Sequence, residues 1–198
     1  MSKLLEALVL PKLHSLSIVI KYHKTKQGGL HWISVELPSL LSRSSALITS
    51  FCLDGPWVAS SDLIALLRSM PALTTLSLSE PPAFGNCPDI MVNDELLSSL
   101  HYHQGRQLIL THLTSLTLKG CDLSSSTAFM HLFVKVIHSR WKPSSFEDEV
   151  ACIKTVKLEA PDFSIPRNAV QTLMMLRTRG SDVSIEDEYG DVSIRDEV

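Results

Sequence analysis

Residues 110–118 read LTHLTSLTL, and the spacing of their apolar residues is the strongest structural signal in the chain. Leu110, Leu113, Leu116 and Leu118 follow the pattern L-x-x-L-x-x-L-x-L. The same pattern occurs in LPKLHSLSI (residues 10–18) and in MPALTTLSL (residues 70–78). A recurring apolar phrase indicates stacked units that share one core, because a single unit cannot bury its own apolar side.

Shorter versions of the phrase lie at residues 48–53 and 153–158, and a last echo lies at Val183 and Ile185. Between the phrases, apolar residues recur at helical spacing. This spacing predicts helices within 60–70, 93–102, 125–141 and 166–180, and shorter helices at 2–9 and 38–43. Ser61 or Asp62 is the expected N-cap of the first, and Asn93 or Asp94 that of the second. Regular alternation of strands and helices predicts a parallel sheet with right-handed crossovers.

The distances between equivalent strand residues identify the type of unit. Six positions are equivalent, and they lie 35, 25, 40, 40 and 27 residues apart: Ile18, Leu53, Leu78, Leu118, Leu158 and Ile185. Leucine-rich repeats run about 20–29 residues, so three units carry insertions, at 21–31, 81–89 and 142–150. The predicted fold is an α/β leucine-rich-repeat solenoid, an arc with about six short parallel strands on its concave face and helices on its convex face.

The C-terminal region contains a near-duplication, DVSIEDE (182–188) and DVSIRDE (191–197). The first copy can pair beside the strand at 155–159 after a short connection, so we predict a terminal strand at 182–186. We therefore predict a leucine-rich-repeat domain at 1–189 and an acidic, mobile tail at 190–198. The alternative is that the tail is a short acidic docking segment.

Composition excludes several classes of function. The net charge of −3 argues against a nucleic-acid-binding footprint. No apolar run reaches the roughly 18–20 residues that span a bilayer, and Glu6 interrupts the apolar N-terminus, which is unlike a signal peptide. The four cysteines lie 35, 34 and 31 residues apart with no C-x-x-C, which favours free thiols. We expect an intracellular protein, cytoplasmic or nuclear, with no membrane or nucleic-acid partner.

The alternate residues of each predicted strand face away from the core. Two of the three outward columns consist almost wholly of Ser and Thr, whereas the later strands add Lys119, Lys157 and Glu159. One reading is a ligand-facing surface, and the other is a ladder of cross-strand contacts that mainly fits the sheet. The candidate partner-binding residues are these three charged residues and three tryptophans at the rims: Trp32, Trp57, Lys119, Trp141, Lys157 and Glu159.

Other constellations carry weaker signals. Lys21, Lys24 and Lys26 could hold an anion, or they could simply be a solvated loop. His101 with His103, and His131 with His138, lack the companion ligands of known metal sites. No G-x-S-x-G or other catalytic phrase occurs. We expect no enzyme activity, no cofactor and no metal.

The stretch LTSLTLKGCDL (113–123) resembles the cysteine-containing leucine-rich repeat, in which a Cys or Asn after the strand hydrogen-bonds the turn. With the long irregular repeats and the closing RTRGSDVSIEDE, most of the chain is similar to the C-terminal region of fungal F-box/leucine-rich-repeat proteins. The resemblance implies a protein-interaction module that recruits an unknown target protein for a ubiquitin ligase. No F-box precedes Leu10, so binding to the ubiquitin-ligase linker protein is expected only if an F-box is supplied N-terminally. The alternative is a truncated repeat remnant with a purely structural role.

Overall fold

A computed structural model describes residues 2–20, 31–55, 58–80, 91–102, 108–120, 127–141, 150–159, 167–187 and 190–191. Within these residues, six strands form one parallel sheet in chain order: β1 Ser15–Val19, β2 Ser50–Asp54, β3 Thr75–Ser79, β4 Ser115–Lys119, β5 Thr155–Glu159 and β6 Asp182–Asp187. A two-residue strand, β7 Gly190–Asp191, pairs antiparallel with β6. The predicted α/β class with six short parallel strands is therefore confirmed.

The described helices connect successive strands and form a second layer. They are α1 Ser2–Ala7, α2 His31–Ser34, α3 Glu36–Ser44, α4 Ser60–Arg68, α5 Asp94–Leu100, α6 Thr127–Trp141 and α7 Arg167–Thr178. Helices α3 to α7 follow β1 to β5 one by one. Helix α2 contacts both α3 and α4, and α4 to α7 contact one another in succession. Parallel crossovers of one hand place all these helices on the same face of the sheet.

Alternation along each strand decides which side chains meet the helices. Leu76 and Leu78 in β3 pair in register with Leu116 and Leu118 in β4, and all four are 0% exposed. The residues between them are only half-buried, because successive side chains of a strand point to opposite faces. The predicted burial of these leucines and the parallel pairing of their strands are both confirmed.

A threonine precedes three of the strands, and each makes the same contact. The hydroxyl of Thr49 donates to the His14 carbonyl (3.1 Å), that of Thr74 to Thr49 (2.9 Å), and that of Thr114 to Thr74 (3.1 Å). The backbone N–H of each threonine donates to the same carbonyl. We call this series the threonine ladder. Each threonine lies one residue before the first outward residue of its strand. The threonine ladder is therefore separate from the Ser/Thr columns, for which a ladder of contacts was one of the two readings.

Two glycines are required where the chain leaves the sheet. Gly55 and Gly120 follow β2 and β4 and have positive φ angles of 98° and 68°. A Cβ atom at either position would collide with a carbonyl oxygen, that of Ile20 or of Glu80. Only glycine allows both this backbone conformation and this close approach.

The predicted helix ends are partly correct. Asn93 caps α5, because its Oδ1 accepts hydrogen bonds from the N–H groups of Glu95 and Leu96, both at 3.1 Å. The predicted cap of α4 at Ser61 or Asp62 is wrong, since α4 begins at Ser60 without a side-chain cap. The hydroxyl of Ser60 instead donates to Glu95 of the next helix, at 2.5 Å.

The C-terminal residues show one agreement and one difference. The predicted terminal strand at 182–186 is present as β6, with Val183 and Ile185 buried. Gly190 and Asp191, which were assigned to the mobile tail, instead pair with Asp187 and Glu186 as β7. This pairing joins residues only three to five positions apart, and sequence alternation alone does not reveal it. Residues 192–198 lie outside the described residues.

We predict that Leu116→Ala lowers the free energy of unfolding by about 2–5 kcal/mol, because it leaves a cavity in a fully buried position. The neighbouring Thr117→Ala is the matched control and should cost far less, since Thr117 faces away from the helices and is half-buried. Urea titration of both variants measures the difference. Equal losses would contradict the assignment of the two sheet faces.

Candidate functional site

The sheet face away from the helices, here called the open face, is made of three columns of outward residues. The strands are in register, so each column crosses the sheet in a straight line. The middle column runs Ser17, Cys52, Ser77, Thr117, Lys157 and Ser184. In this column small residues occupy β1 to β4, and the charged Lys157 follows in β5; in the column that begins at Val19, the charged residues are Asp54 of β2, Lys119 of β4, Glu159 of β5 and Glu186 of β6.

Three charged residues of β4 and β5 form a cluster on the open face. Lys119 lies opposite Glu159 in the register, and Lys157 lies two residues before Glu159 on the same strand. Both ammonium groups contact the same carboxylate oxygen, Oε1 of Glu159, at 2.9 Å from Lys119 and 3.0 Å from Lys157. We call Lys119, Lys157 and Glu159 the charged cluster; its net charge is +1, and about 41% of the Lys119 side chain is exposed.

The cluster holds Glu159 in its ionised form. Partial burial by itself favours the neutral acid, but the hydrogen bonds and positive charges of Lys119 and Lys157 outweigh this effect. The pKa of Glu159 therefore lies below its ordinary value. The carboxylate in turn holds the two lysine side chains over one spot of the open face, where a partner could meet both ammonium groups.

The two tryptophans that the structure describes, Trp32 and Trp141, do not join the charged cluster. Trp32 in α2 and Trp141 at the end of α6 are half-buried and pack against the hydrophobic core from the helix layer. The guanidinium carbon of Arg179 lies 5.5 Å from the centre of the Trp141 ring, within cation–π distance. Trp57 lies outside the described residues. That any of the three binds a partner stays a prediction.

Arg140 is a buried charge that the sequence analysis missed. Its side chain is fully buried, and its Nη2 donates to the carbonyl of Leu110, whose φ angle is 57°. Its own carbonyl accepts from Ile153 N–H at 3.1 Å. Burial lowers the pKa of Arg140 to about 10. Arg140 thus holds the turn before β4 and the start of β5. Its burial could have been inferred from its position seven residues after Phe133, which places both side chains on the same face of the helix.

Two of the histidines considered as metal ligands line a cleft in the helix layer. His101 and His138 face it with side chains from α6 and α7, and its volume is about 350 Å³; the other lining residues are Val134, Lys135, Ser139, Thr172 and Met175. Within the described part of the chain, no group of three or more His, Cys, Asp or Glu residues could hold a metal ion. His103 and the loop lysines at 21, 24 and 26 lie outside the described residues.

The two described cysteines have no disulfide partner. Cys52 is half-buried on the open face, as predicted from its column, and Cys152 is exposed before β5. Cys87 and Cys121 lie outside the described residues, so the predicted role of Cys121 at its turn stays a prediction.

Comparison with known proteins gives no relative for this chain: no protein-family model, no curated protein and no solved structure matches it. Of the helices that the structure describes, none is both long and apolar enough to cross a membrane.

We predict that Glu159→Gln lowers the free energy of unfolding near neutral pH, by less than about 1 kcal/mol because the ion pairs are partly exposed. A carboxyl group with a lowered pKa in the folded state stabilises the fold above its unfolded-state pKa, and loses this effect as the pH falls through the lowered value. The difference between wild type and variant should therefore shrink with acidification. Urea titrations at several pH values measure it.

The control for this prediction removes both lysines. In a Lys119→Met/Lys157→Met background, Glu159→Gln should no longer produce a destabilisation that disappears with acid. A pH-dependent difference that persists in this background would contradict the assignment of the pKa shift to the two lysines.

Proposed function

We propose that this chain is a leucine-rich-repeat solenoid that acts as a protein-interaction module, similar to the target-recruiting repeat region of an F-box ubiquitin-ligase adaptor. The recognition surface in this proposal is the open face around the charged cluster. No catalytic role and no cofactor form part of it.

Three regular features support the repeat architecture. The strands follow one another in chain order and in register, each joined to the next by at least one described helix. The threonine ladder repeats one contact between successive strands. The same turn hydrogen bond, from Leu13 to Leu10, recurs from Leu73 to Met70 and from Leu113 to Leu110, each at 3.1 Å.

The single observation that carries the binding proposal is the charged cluster. The ammonium groups of Lys119 and Lys157 are held at 2.9 and 3.0 Å from one carboxylate oxygen of Glu159, and the two side chains remain about 41% and 34% exposed on the open face. Ser79 and Ser184, which lie opposite Lys119 and Lys157 in the register, are small, so a partner can approach the sheet closely there, and Glu186 lies opposite Glu159 on the other side. Polar and charged groups held on a rigid sheet favour specific recognition, because they need little reordering when a partner binds.

We expect reversal of the two lysines to abolish partner capture. The variant Lys119→Glu/Lys157→Glu and the wild type are used as bait in cells, followed by quantitative mass spectrometry. The matched control is Arg68→Glu/Lys135→Glu, which changes the net charge equally on exposed residues of the helix layer. Proteins retained by the control but lost with the cluster variant would identify partners of the open face.

The alternative, a repeat remnant with a structural role only, predicts a different result. In that case the wild type captures nothing beyond what both variants capture. Partners that are lost only with the helix-layer control would indicate that the recognition surface is the helix layer and not the open face. Circular dichroism of each variant verifies that the charge changes leave the fold intact.

The link to a ubiquitin ligase is tested separately. We expect the purified 198-residue chain not to bind the ubiquitin-ligase linker protein, because its resemblance is to the repeat region of F-box proteins and not to the F-box helices that dock onto the linker. Fusion of an F-box to the N-terminus is the positive control. Stoichiometric binding of the unfused chain in this two-component assay would contradict the prediction and would point to residues 37–51 as a divergent F-box.

A further inference from the structure

Strand β1 forms one edge of the sheet, and none of the described strands pairs with its outer side. Ser50 N–H donates to the His14 carbonyl, and Ile20 N–H donates to Asp54. The even-numbered residues of β1 therefore direct their backbone groups toward β2. Because backbone groups alternate along a strand, the N–H and C=O groups of Ser15, Ser17 and Val19 point outward from this edge.

At this end the N-terminal segment covers the last helix of the helix layer, whereas none of the described strands covers the edge of the sheet. Arg43 donates to the Leu5 carbonyl at 2.7 Å, and Leu10 N–H donates to the Ser44 hydroxyl at 2.9 Å, so the N-terminal segment is held against α3. On the sheet side, Leu16 is only half-buried, although its counterparts in β2 to β4 are 0% exposed.

Apolar residues of β1 and of the segment before it are exposed to solvent. Val9 and Val19 are each 58% exposed, and Leu10 is 36% exposed. At the opposite end of the sheet, the last inward residues Val183 and Ile185 are 4% and 3% exposed. Among the inward-facing residues of β1 to β6, incomplete burial is thus confined to β1.

The two edges also differ in the devices that prevent strand pairing. Sheet edges are usually protected by charges, proline or very short strands. The far edge is the two-residue β7, which contains Asp191 and lies beside the acidic β6. Strand β1, with the sequence SLSIV, has no charge and no proline. A head-to-tail contact between the two ends is therefore disfavoured, and a contact of β1 with itself is not.

We propose that β1 pairs antiparallel with β1 of a second copy of this chain, with Ser17 opposite Ser17 on a two-fold axis. In this register Ser15 lies opposite Val19 of the second copy, and the outward N–H and C=O groups bond to each other. Leu16 then faces Ile18 of the second copy on the helix side of the sheet. Both residues gain the burial that their counterparts in the other strands have. The contact is self-complementary, and it closes after two copies.

The uncharged sequence of β1 also supports a second copy of this chain as the partner at this edge. A strand on a two-fold axis must tolerate its own residues as neighbours, so like charges on β1 would repel each other. Five uncharged residues, with a small residue at the centre, satisfy this condition without any further partner. The surface is distinct from the charged cluster, which lies on β4 and β5.

The first experiment measures the mass of the chain by sedimentation equilibrium and light scattering, where we expect a dimer. Ser17→Pro removes the central outward N–H but none of the bonds between β1 and β2, because Ser17 faces away from β2. This variant should be a monomer, while the matched control Ser17→Ala should remain a dimer. A monomeric wild type, or a dimer that tolerates Ser17→Pro, would overturn the proposal.

The second experiment tests the two-fold register and does not depend on proline. Ser17→Lys or Ser17→Glu alone should weaken association about fivefold or more, because identical charges lie opposite each other. An equimolar mixture of the two variants should restore it, since Lys then faces Glu. Ser77→Lys, the same change at the equivalent position of the central strand β3, should leave association unchanged. Failure of the mixture to recover would contradict the pairing of Ser17 with itself.

Discussion

The in-register parallel pairing of β1 to β6 is the constraint on which the rest of the structure depends. With one strand per unit and no register shift, every second side chain falls into a continuous apolar layer, from Ile18 through Leu118 to Ile185. The intervening segments must return on the covered side, so their helices supply the other half of the core. One sheet face remains open because the opposite face already contains the whole core.

Further contacts hold the ends of the strands. The threonine ladder connects the chain before β2, β3 and β4, and the glycines after β2 and β4 allow close backbone contact at the other end. Arg140 adds a link from α6 to the turn at Leu110. Its buried guanidinium bears a desolvation cost that is only partly offset, because Nη2 donates to the Leu110 carbonyl whereas Nε and Nη1 have no hydrogen-bond partner among the described residues. A fixed backbone of this kind suits recognition, since side chains such as Lys119 keep their relative positions.

The chain is asymmetric from one end of the sheet to the other. The N-terminal edge is uncharged, and its apolar residues are incompletely covered, whereas the C-terminal edge is short and acidic. Charge is distributed in the same direction, because the open face is mainly hydroxyl-bearing up to β3 and ionic at β4 and β5. The two proposed surfaces are therefore separate: self-association involves the edge of β1, and partner recognition involves the open face at β4 and β5.

The sequence alone determined the strands, their order and the inward residues, because each of these follows from local periodicity, as in Leu76 and Leu116. It also placed Lys119, Lys157 and Glu159 on one face, since strand alternation is a local property. Only the tertiary structure decided that Glu159 binds both lysines, that Ser60 contacts Glu95 and is not a cap, and that Arg140 is buried. It alone joined Gly190 and Asp191 to the sheet. These features depend on contacts between particular residues in different elements, and the periodicity of the sequence carries no information about which elements meet.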